Sequence, residues 1–504
     1  MSQEIGGLSQ EIAGLSQEAG GSPQEIGLRL ELTAPAAAAL VASGLLAGDP
    51  AALQSHSVYF DTPGQDLSAA GFSLRIREAE GERVQIVKAT GSAAGLFVRP
   101  KWNLPVQADV PILDDTSPVA ALLGTRLHEI GPAFTVDMQR RVWNVLSDEA
   151  EIELALDEGE IIAGERRTPI CELKLELKRG TPAALFALAR RLDAVAPLRL
   201  RVLGKAERGY RLLGPAAGAV KAEPVTMTAD MDAAAAFRHI AGACLRQYRL
   251  NEGLLGGRDA EAVHQARVAL RRLRSAFSIY KPMLEDGRFQ HLRDETRWLA
   301  VSLGAMRDVD VLIERCEVET VRARLVQARA EAANLALAEL ASRRARVLML
   351  DLSEWLAAGD WRSQPSGEEI RGQPARDFAA AALDRFRRKV RKGGRDLAEL
   401  DDAARHEVRK DAKKLRYAAE FFSSFFQGKR QKRRLKRFVE ALAALQDRLG
   451  ALNDHAVTEH VLSRLGLDRD PDAAHLAAAE DKQVLIEAAA EAHDAFSDAK
   501  RFWR

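Results

Sequence analysis

Cysteine is scarce in this chain: Cys171, Cys244 and Cys316 are the whole complement in 504 residues. Three widely spaced thiols make neither a disulfide framework nor a four-ligand zinc site, and they fit a reducing compartment. Long apolar runs are also missing. Nothing approaches the roughly 20 residues that span a bilayer, so no membrane partner is expected. The first residues lack a basic segment followed by an apolar one, so they do not read as a secretory signal. A soluble, cytoplasmic protein is the expectation. Aromatic residues make up only 6% of the chain. Net charge is nearly absent at +1, but this balance hides an asymmetry. Residues 1–225 carry 23 basic and 29 acidic side chains, and the remainder carries 50 and 43. Two domains with different electrostatic tasks are the simplest reading.

Residues 1–24 hold a Gly-rich degenerate heptad, Ser2-Gln-Glu-Ile-Gly-Gly-Leu8 and its copies. Too few apolar positions recur there to offset the entropy of ordering, so a disordered tail is expected, with a short coiled coil as the alternative. From Glu25 the period becomes two: Ile26, Leu28, Leu30 and Leu32 alternate with Glu25, Gly27, Arg29 and Glu31. Such alternation predicts a strand, and it recurs at 73–77, 84–88, 151–157 and 171–178. Between strands, 181–195 reads as a helix with Thr181 as N-cap and Pro182 opening the first turn. The spacing thus predicts an α+β domain of antiparallel strands over 25–213. A linker rich in Ala, Gly, Pro and Thr follows over 214–232. An all-α bundle is expected over 233–504, where proline is scarce inside the periodic runs.

The helical half repeats itself. His264-Gln-Ala-Arg267-Val-Ala-Leu-Arg271-Arg272-Leu-Arg274 returns as His406-Glu-Val-Arg409-Lys-Asp-Ala-Lys413-Lys414-Leu-Arg416. Each copy is followed by a second landmark, Leu303-Gly-Ala-Met-Arg-Asp308 and Leu449-Gly-Ala-Leu-Asn-Asp454. Two landmarks in one order predict a duplicated unit and two halves about a pseudo-twofold axis. At ~100° per residue, His264, Arg267, Arg271 and Arg274 fall within roughly 80° of a helix face, as do His406, Arg409, Lys413 and Arg416. Like charges so spaced repel, and a polyanion laid along the stripe relieves that repulsion. Arginine offers forked donors to phosphate oxygens, lysine a mobile point charge, and neutral histidine one hydrogen bond. A single such helix would pass for a solvated face. Two copies with histidine in register favour a ligand, and no cofactor is needed. Further basic runs at 385–392 and 429–437 could be plain surface or a nucleic-acid patch. The scarcity of aromatics beside them argues against base stacking and makes nucleic acid the weaker partner.

These two histidine helices and the L-G-A-x-x-D segments resemble the CHAD family, over residue 233 to the C-terminus. The resemblance implies inorganic polyphosphate bound in a basic central cavity, and association with polyphosphate granules and their proteins.

In the strand half, Arg75 and Arg77 share a face, Lys88 sits on the next strand, and Arg99, Arg141, Lys205 and Arg208 add cations. Glu151, Glu153 and Asp157 share one face; Glu172 and Glu176 share another with Lys174 between them. If these faces line a closed barrel, the cations can hold a phosphate chain and the carboxylates Mg²⁺ or Mn²⁺. The alternative is an ordinary sheet with one polar side in solvent.

The segments Glu25-Ile-Gly-Leu-Arg-Leu, Tyr59-Phe-Asp-Thr-Pro63, Gly71–Arg77, Lys88–Gly91, Cys171–Leu177 and Lys205–Tyr210 resemble the CYTH family, the triphosphate tunnel fold. That resemblance implies metal-dependent hydrolysis of inorganic triphosphate in active members, with related members acting on other triphosphates or making cyclic AMP. It also extends the phosphate-binding set to Arg29. The remnant acidic set, catalytic or metal-holding, is Glu25, Glu153, Glu172 and Glu176. Arg29 stands where the family has lysine, and three further departures remove carboxylates. Gly27 stands where a glutamate is expected, Lys174 replaces the middle acid of E-x-E-x-E, and Lys101 takes another glutamate position. The resulting expectation is a polyphosphate-binding protein whose tunnel turns over weakly. The alternatives are an active triphosphatase tethered to polyphosphate by the helical half, and a nucleic-acid binder.

Overall fold

A computed structural model describes residues 25–89, 96–115, 117–147, 149–215, 218–257, 259–477 and 482–504. The 1–24 tail therefore lies outside the described residues, as do Thr90 and Gly91. The side chains of Glu25 and Arg99 are also outside them. The chain divides into two compact units, Met1–Gly218 with Met349–Ala358, and Ala219–Leu348 with Gly359–Arg504.

The first unit is an antiparallel sheet. Its strands are β1 (Glu25–Glu31), β2 (Ala51–Asp61), β3 (Phe72–Ala79), β4 (Glu82–Ala89), β5 (Leu96–Arg99), β6 (Lys101–Pro105), β7 (Gly131–Leu146), β8 (Glu151–Ala163), β9 (Arg166–Arg179) and β10 (Arg199–Leu200). They run in the order β10-β1-β9-β8-β7-β2-β3-β4-β6, and β5 pairs with β1. Only Pro100 separates β5 from β6, so one stretch of chain joins both ends of the sheet and closes it into a barrel. Proline suits that junction because it cannot donate to a ladder.

The alternation seen in β1 now has a cause. Leu28 and Leu30 are fully buried on the outer face, as are Leu173 and Leu175 of the neighbouring β9. Helices α1 (Ala34–Ala42) and α2 (Pro182–Asp193) belong to the same unit and bury Leu40, Leu185 and Leu192. Thr181 and Pro182 open α2 as expected, although the threonine hydroxyl makes no capping bond. One end of the barrel interior is filled by Tyr59, Phe134, Val136, Met138, Ile161 and Tyr210. The last of these comes from α3 (Lys205–Leu213).

The second unit is helical: α4 (Ala233–Glu252), α5 (Ala260–Leu284), α6 (Phe289–Arg315), α7 (Glu319–Ala341), α8 (Arg343–Ala358, shared with the first unit), α9 (Ala375–Gly393), α10 (Asp402–Phe422), α11 (Lys429–Arg464) and α12 (Lys482–Asp498). The duplication is visible in its packing. Helix α5 lies between α4 and α6, and α10 between α9 and α11. Equivalent helices also meet across the repeat: α4 with α9, α5 with α10, and α6 with α11. The repeat reaches the caps too. Asp259 accepts from the Glu261 amide (2.9 Å) at the start of α5, and Asp401 from the Ala404 amide (2.7 Å) at the start of α10. Each cap stands five residues before its histidine and is worth roughly 1 kcal/mol. Phe237, Phe277, Tyr280, Phe378 and Phe422 pack ring to ring in the common core, stacked, tilted or edge-on.

Candidate anion-binding sites

The two histidine stripes sit on α5 and α10, which pack against each other, and their cations point into shared space. Lys413 is the clearest reporter. Burial pushes its ammonium down, and Arg409, Arg271 and Arg267 push it further, to about 7. Arg409 is lowered by burial and by Arg271 of the opposite helix. His264 is lowered by burial and then by Arg271 and Arg307, so it stays neutral more readily. His406 is lowered the same way beside Arg409, and Asn453 hydrogen-bonds it. The Nε atoms of Arg271 and Arg409 are buried and find no acceptor among the described residues. Buried N–H groups of a guanidinium without acceptors are costly unless an anion meets them.

The second landmark supplies the counter-charge. Asp308 accepts from Arg267 Nη1 at 3.3 Å, and the Gly304 carbonyl accepts from the same atom at 3.2 Å. Asp454, its equivalent, raises the pKa of both Arg409 and Lys413. Two carboxylates thus hold the inner cations in place without neutralising the set. Three cations were not anticipated. Arg293 and Arg297 of α6 act on Arg274, and Arg307 acts on His264 and Arg267. Their i, i+4 spacing and the Arg-Asp pair in the landmark were the available signals.

Three of the anticipated residues stand apart. Arg272 is core: it is 7% exposed, its guanidinium lies 5.2 Å from the Phe421 ring centre, and it contacts the Cys244 thiol. Adjacent positions on a helix diverge by ~100°, which takes it off the stripe. Lys414 is held by Asp411 at 2.8 Å. Arg416, at the far end, pairs with Glu420 (3.0 Å) and donates to Gln446 (3.2 Å).

In the barrel, the register places Arg29, Lys174, Glu176, Glu172, Glu153, Asp157 and Arg140 on the inner face of β1, β9, β8 and β7. Arg75, Arg77, Lys88 and Lys101 follow on β3, β4 and β6. Arg99 stands opposite Glu25 in the register of β5 and β1. Arg77 is lowered by burial and by its neighbours Arg75 and Arg140, and the buried Nε atoms of Arg75 and Arg77 find no acceptor among the described residues. Arg75 Nη1 donates to Tyr59 Oη at 2.9 Å. The expected Arg141 is on the outside, paired with Glu158 at 2.6 Å. Its neighbour Arg140 faces inward, because one step along a strand reverses the face.

Cations of the chain itself occupy the inner carboxylates. Lys205, 8% exposed at the start of α3, bridges the fully buried Asp157 (2.6 Å) and Glu172. Arg140 forks onto Asp157 at 2.7 and 2.8 Å. Burial alone would raise both carboxyls; Lys205 outweighs it at each, with Arg140 at Asp157 and Arg29 and Arg201 at Glu172, and holds both well below the usual range. Arg208 lies 3.8 Å from Glu172 and is pushed down to about 10 by burial and by Arg201. Glu176 is bonded by Lys174, the departure from E-x-E-x-E, and by Lys178 at 2.6 Å; Lys178 also reaches Glu153 at 3.1 Å. Mg²⁺ or Mn²⁺ needs several free oxygens. Among the described residues no three metal-binding side chains come together. The described part of the donor set therefore does not fit such an ion. At Gly27 an added Cβ would stand 3.1 Å from the Leu175 carbonyl oxygen, so the family's glutamate would be tight there.

A closed barrel with a cationic interior, joined to a duplicated helical unit, defines the class. Comparison with known proteins makes it specific: the CYTH domain family matches residues 23–210 and the CHAD domain family residues 239–463. The chain is a two-domain CYTH–CHAD protein. An inorganic triphosphatase of Haemophilus influenzae is 34% identical over 161 residues, which is 31% of this chain and 45% of that protein. The chain thus spans less than half the length of this curated relative. The CHAD domain crystal structure from the plant Ricinus communis is 28% identical with a TM-score of 0.44, covering 56% of this chain and 93% of that one. The Hippeastrum protein HpAC1, for which a dominant triphosphatase activity is described, is 18% identical with a TM-score of 0.28, covering 36% and 93%. No helix among the described residues is long and apolar enough to cross a membrane.

Proposed function

We propose that this protein binds inorganic polyphosphate through the paired α5–α10 stripe, and that its barrel holds a phosphate chain with little turnover. One observation carries the reading: Arg267, Arg271, Arg409 and Lys413, from two helices, share one space, where burial and then the three arginines push Lys413 down to about 7. Such crowding is unfavourable until an anion arrives, and the charge it needs is spread along a line, as in a phosphate chain. Granule association and a cytoplasmic location follow from this reading. Weak turnover is supported by the internal ammonium groups on Glu172 and Glu176. A second reading, a metal-dependent triphosphatase tethered to polyphosphate, draws on the Haemophilus relative and on the inward-facing Arg75, Arg77 and Lys88.

The test is binding of the full chain to long-chain polyphosphate and to duplex DNA of matched charge, at near-physiological salt. Changing Arg267, Arg271, Arg409 and Lys413 to Ala should weaken polyphosphate binding by on the order of 100-fold or more and DNA binding little. Equal affinity for both polymers, or an unaffected variant, refutes it. Phosphate release from triphosphate with Mg²⁺ or Mn²⁺ decides the barrel: robust turnover establishes the second reading.

A further inference from the structure

A second basic concavity lies elsewhere in the helical unit. It is a cleft of about 780 Å³ between the last turns of α9 and α12, and seven basic against three acidic residues line it. Its volume is within the ~300–1,000 Å³ of ordinary ligand sites. Arg387, Arg388, Arg391 and Lys392 form two adjacent rows on α9, and Arg395 follows the helix. Arg501 and Arg504 close the other wall. That wall comes from beyond residue 463, where the CHAD match ends.

An ordinary helix end needs one or two cations to offset its dipole, and this cleft holds more than that role uses. Arg387 supplies it, donating through Nη2 to the carbonyls of Ser497 (2.8 Å) and Ala499 (3.1 Å) and tying the walls together. Its buried Nε finds no acceptor among the described residues. The acids do not balance the rest. Asp384 is taken by Trp503 Nε1 (3.0 Å), Arg501 (3.2 Å) and Arg504. The Asp494 carboxylate points to solvent at 87% exposure. Arg388, Arg391, Lys392 and Arg395 are exposed and have no carboxylate at ion-pair distance among the described residues. No Phe, Tyr or Trp lines the cleft. It therefore offers forked donors to phosphate oxygens but no platform for a base or sugar.

We propose that this cleft is a second anion site, which takes a stretch of a linear inorganic oligophosphate. Its residues are disjoint from the α5–α10 stripe, so one long chain or two short ones can occupy both. The experiment uses the full chain and titrates long-chain polyphosphate into four proteins. These are the wild type, the cleft variant R388A/R391A/R395A, the stripe variant R267A/R271A/R409A/K413A, and the two sets combined. The three cleft arginines are exposed, so the cleft variant should melt like the wild type. Relative to the stripe variant, the combined variant should lose a further tenfold or so in affinity. Equal affinity of the stripe and combined variants overturns the cleft and leaves the stripe reading intact. A cleft variant that binds weakly beside an unaffected stripe variant supports the cleft and refutes the stripe. Competition by duplex DNA at equal charge concentration, lost in the cleft variant, overturns the ligand class.

Discussion

Lys205 is buried between two carboxylates, whereas the half-buried Lys413 stands among arginines. Lys205 sits between two carboxylates, and its charge is what makes Asp157 and Glu172 tolerable inside the barrel. Replacing it by Met should cost about 3–5 kcal/mol, because two buried carboxylates each lose a cationic partner at once; urea unfolding of the variant checks this. The pH dependence has a definite sign. Asp157 and Glu172 have depressed folded pKa values, so their stabilisation is present above the ordinary carboxylate range and is lost progressively as pH falls from that range through the depressed values. Beside Lys413 stand Arg409, Arg271 and Arg267, with the carboxylate of Asp454 opposing them. Its ordinary value is 10.5 and its folded value about 7. Between these pH values the folded free protein holds it neutral while the unfolded chain holds it charged. Through this group, stability therefore rises with pH across that window. A polyanion restores the charge, so binding at pH 8 should take up protons and affinity should fall as pH climbs from 7. Calorimetry in buffers of different ionisation enthalpy measures the uptake, and Lys413→Met should lower it.

At the scale of elements, strand β9 decides the barrel's chemistry. Its inward positions read Glu172, Lys174 and Glu176, so a cation sits between two acids in place of a third acid. Lys174→Glu removes the ammonium bonded to Glu176 and rebuilds the run of acids. This single change should raise Mn²⁺-dependent phosphate release from triphosphate by about tenfold or more, a gain of roughly 1.4 kcal/mol in the barrier. An unchanged rate would mean that Lys174 is not what limits turnover. The strand period showed which residues of β1, β3, β4, β8 and β9 share a face. It could not identify β2 or β7, whose alternation is broken by polar residues such as Ser55, Ser57 and Gln139. Arg141 is the arginine the sequence reading names, and only the pairing of β7 with β8 shows that its neighbour Arg140 is the one facing inward. On the helices the 3.6-residue period was enough to place His264, Arg267 and Arg271 along one face of α5, and His406, Arg409 and Lys413 along one face of α10. Arg272 failed because a hydrophobic core accepted its stem beside Phe421.

At the scale of the whole molecule, each unit follows from its own periodicity, period two before residue 213 and period 3.6 after 233. Duplication was legible because two landmarks recur in order, and the contacts of α4 with α9, α5 with α10 and α6 with α11 give that duplication its physical form. The sequence by itself determined the two kinds of domain, the repeat and the cationic stripes, since these depend on local spacing along one element. Tertiary structure alone decided that the barrel closes through the strand pair flanking Pro100, that Lys205 enters it to meet Asp157 and Glu172, and that the stripes face each other. It also decided that the C-terminal arginines meet α9 in a cleft. Each joins residues far apart in the chain, and such partners are chosen by packing and charge neutralisation in space, which no local period encodes.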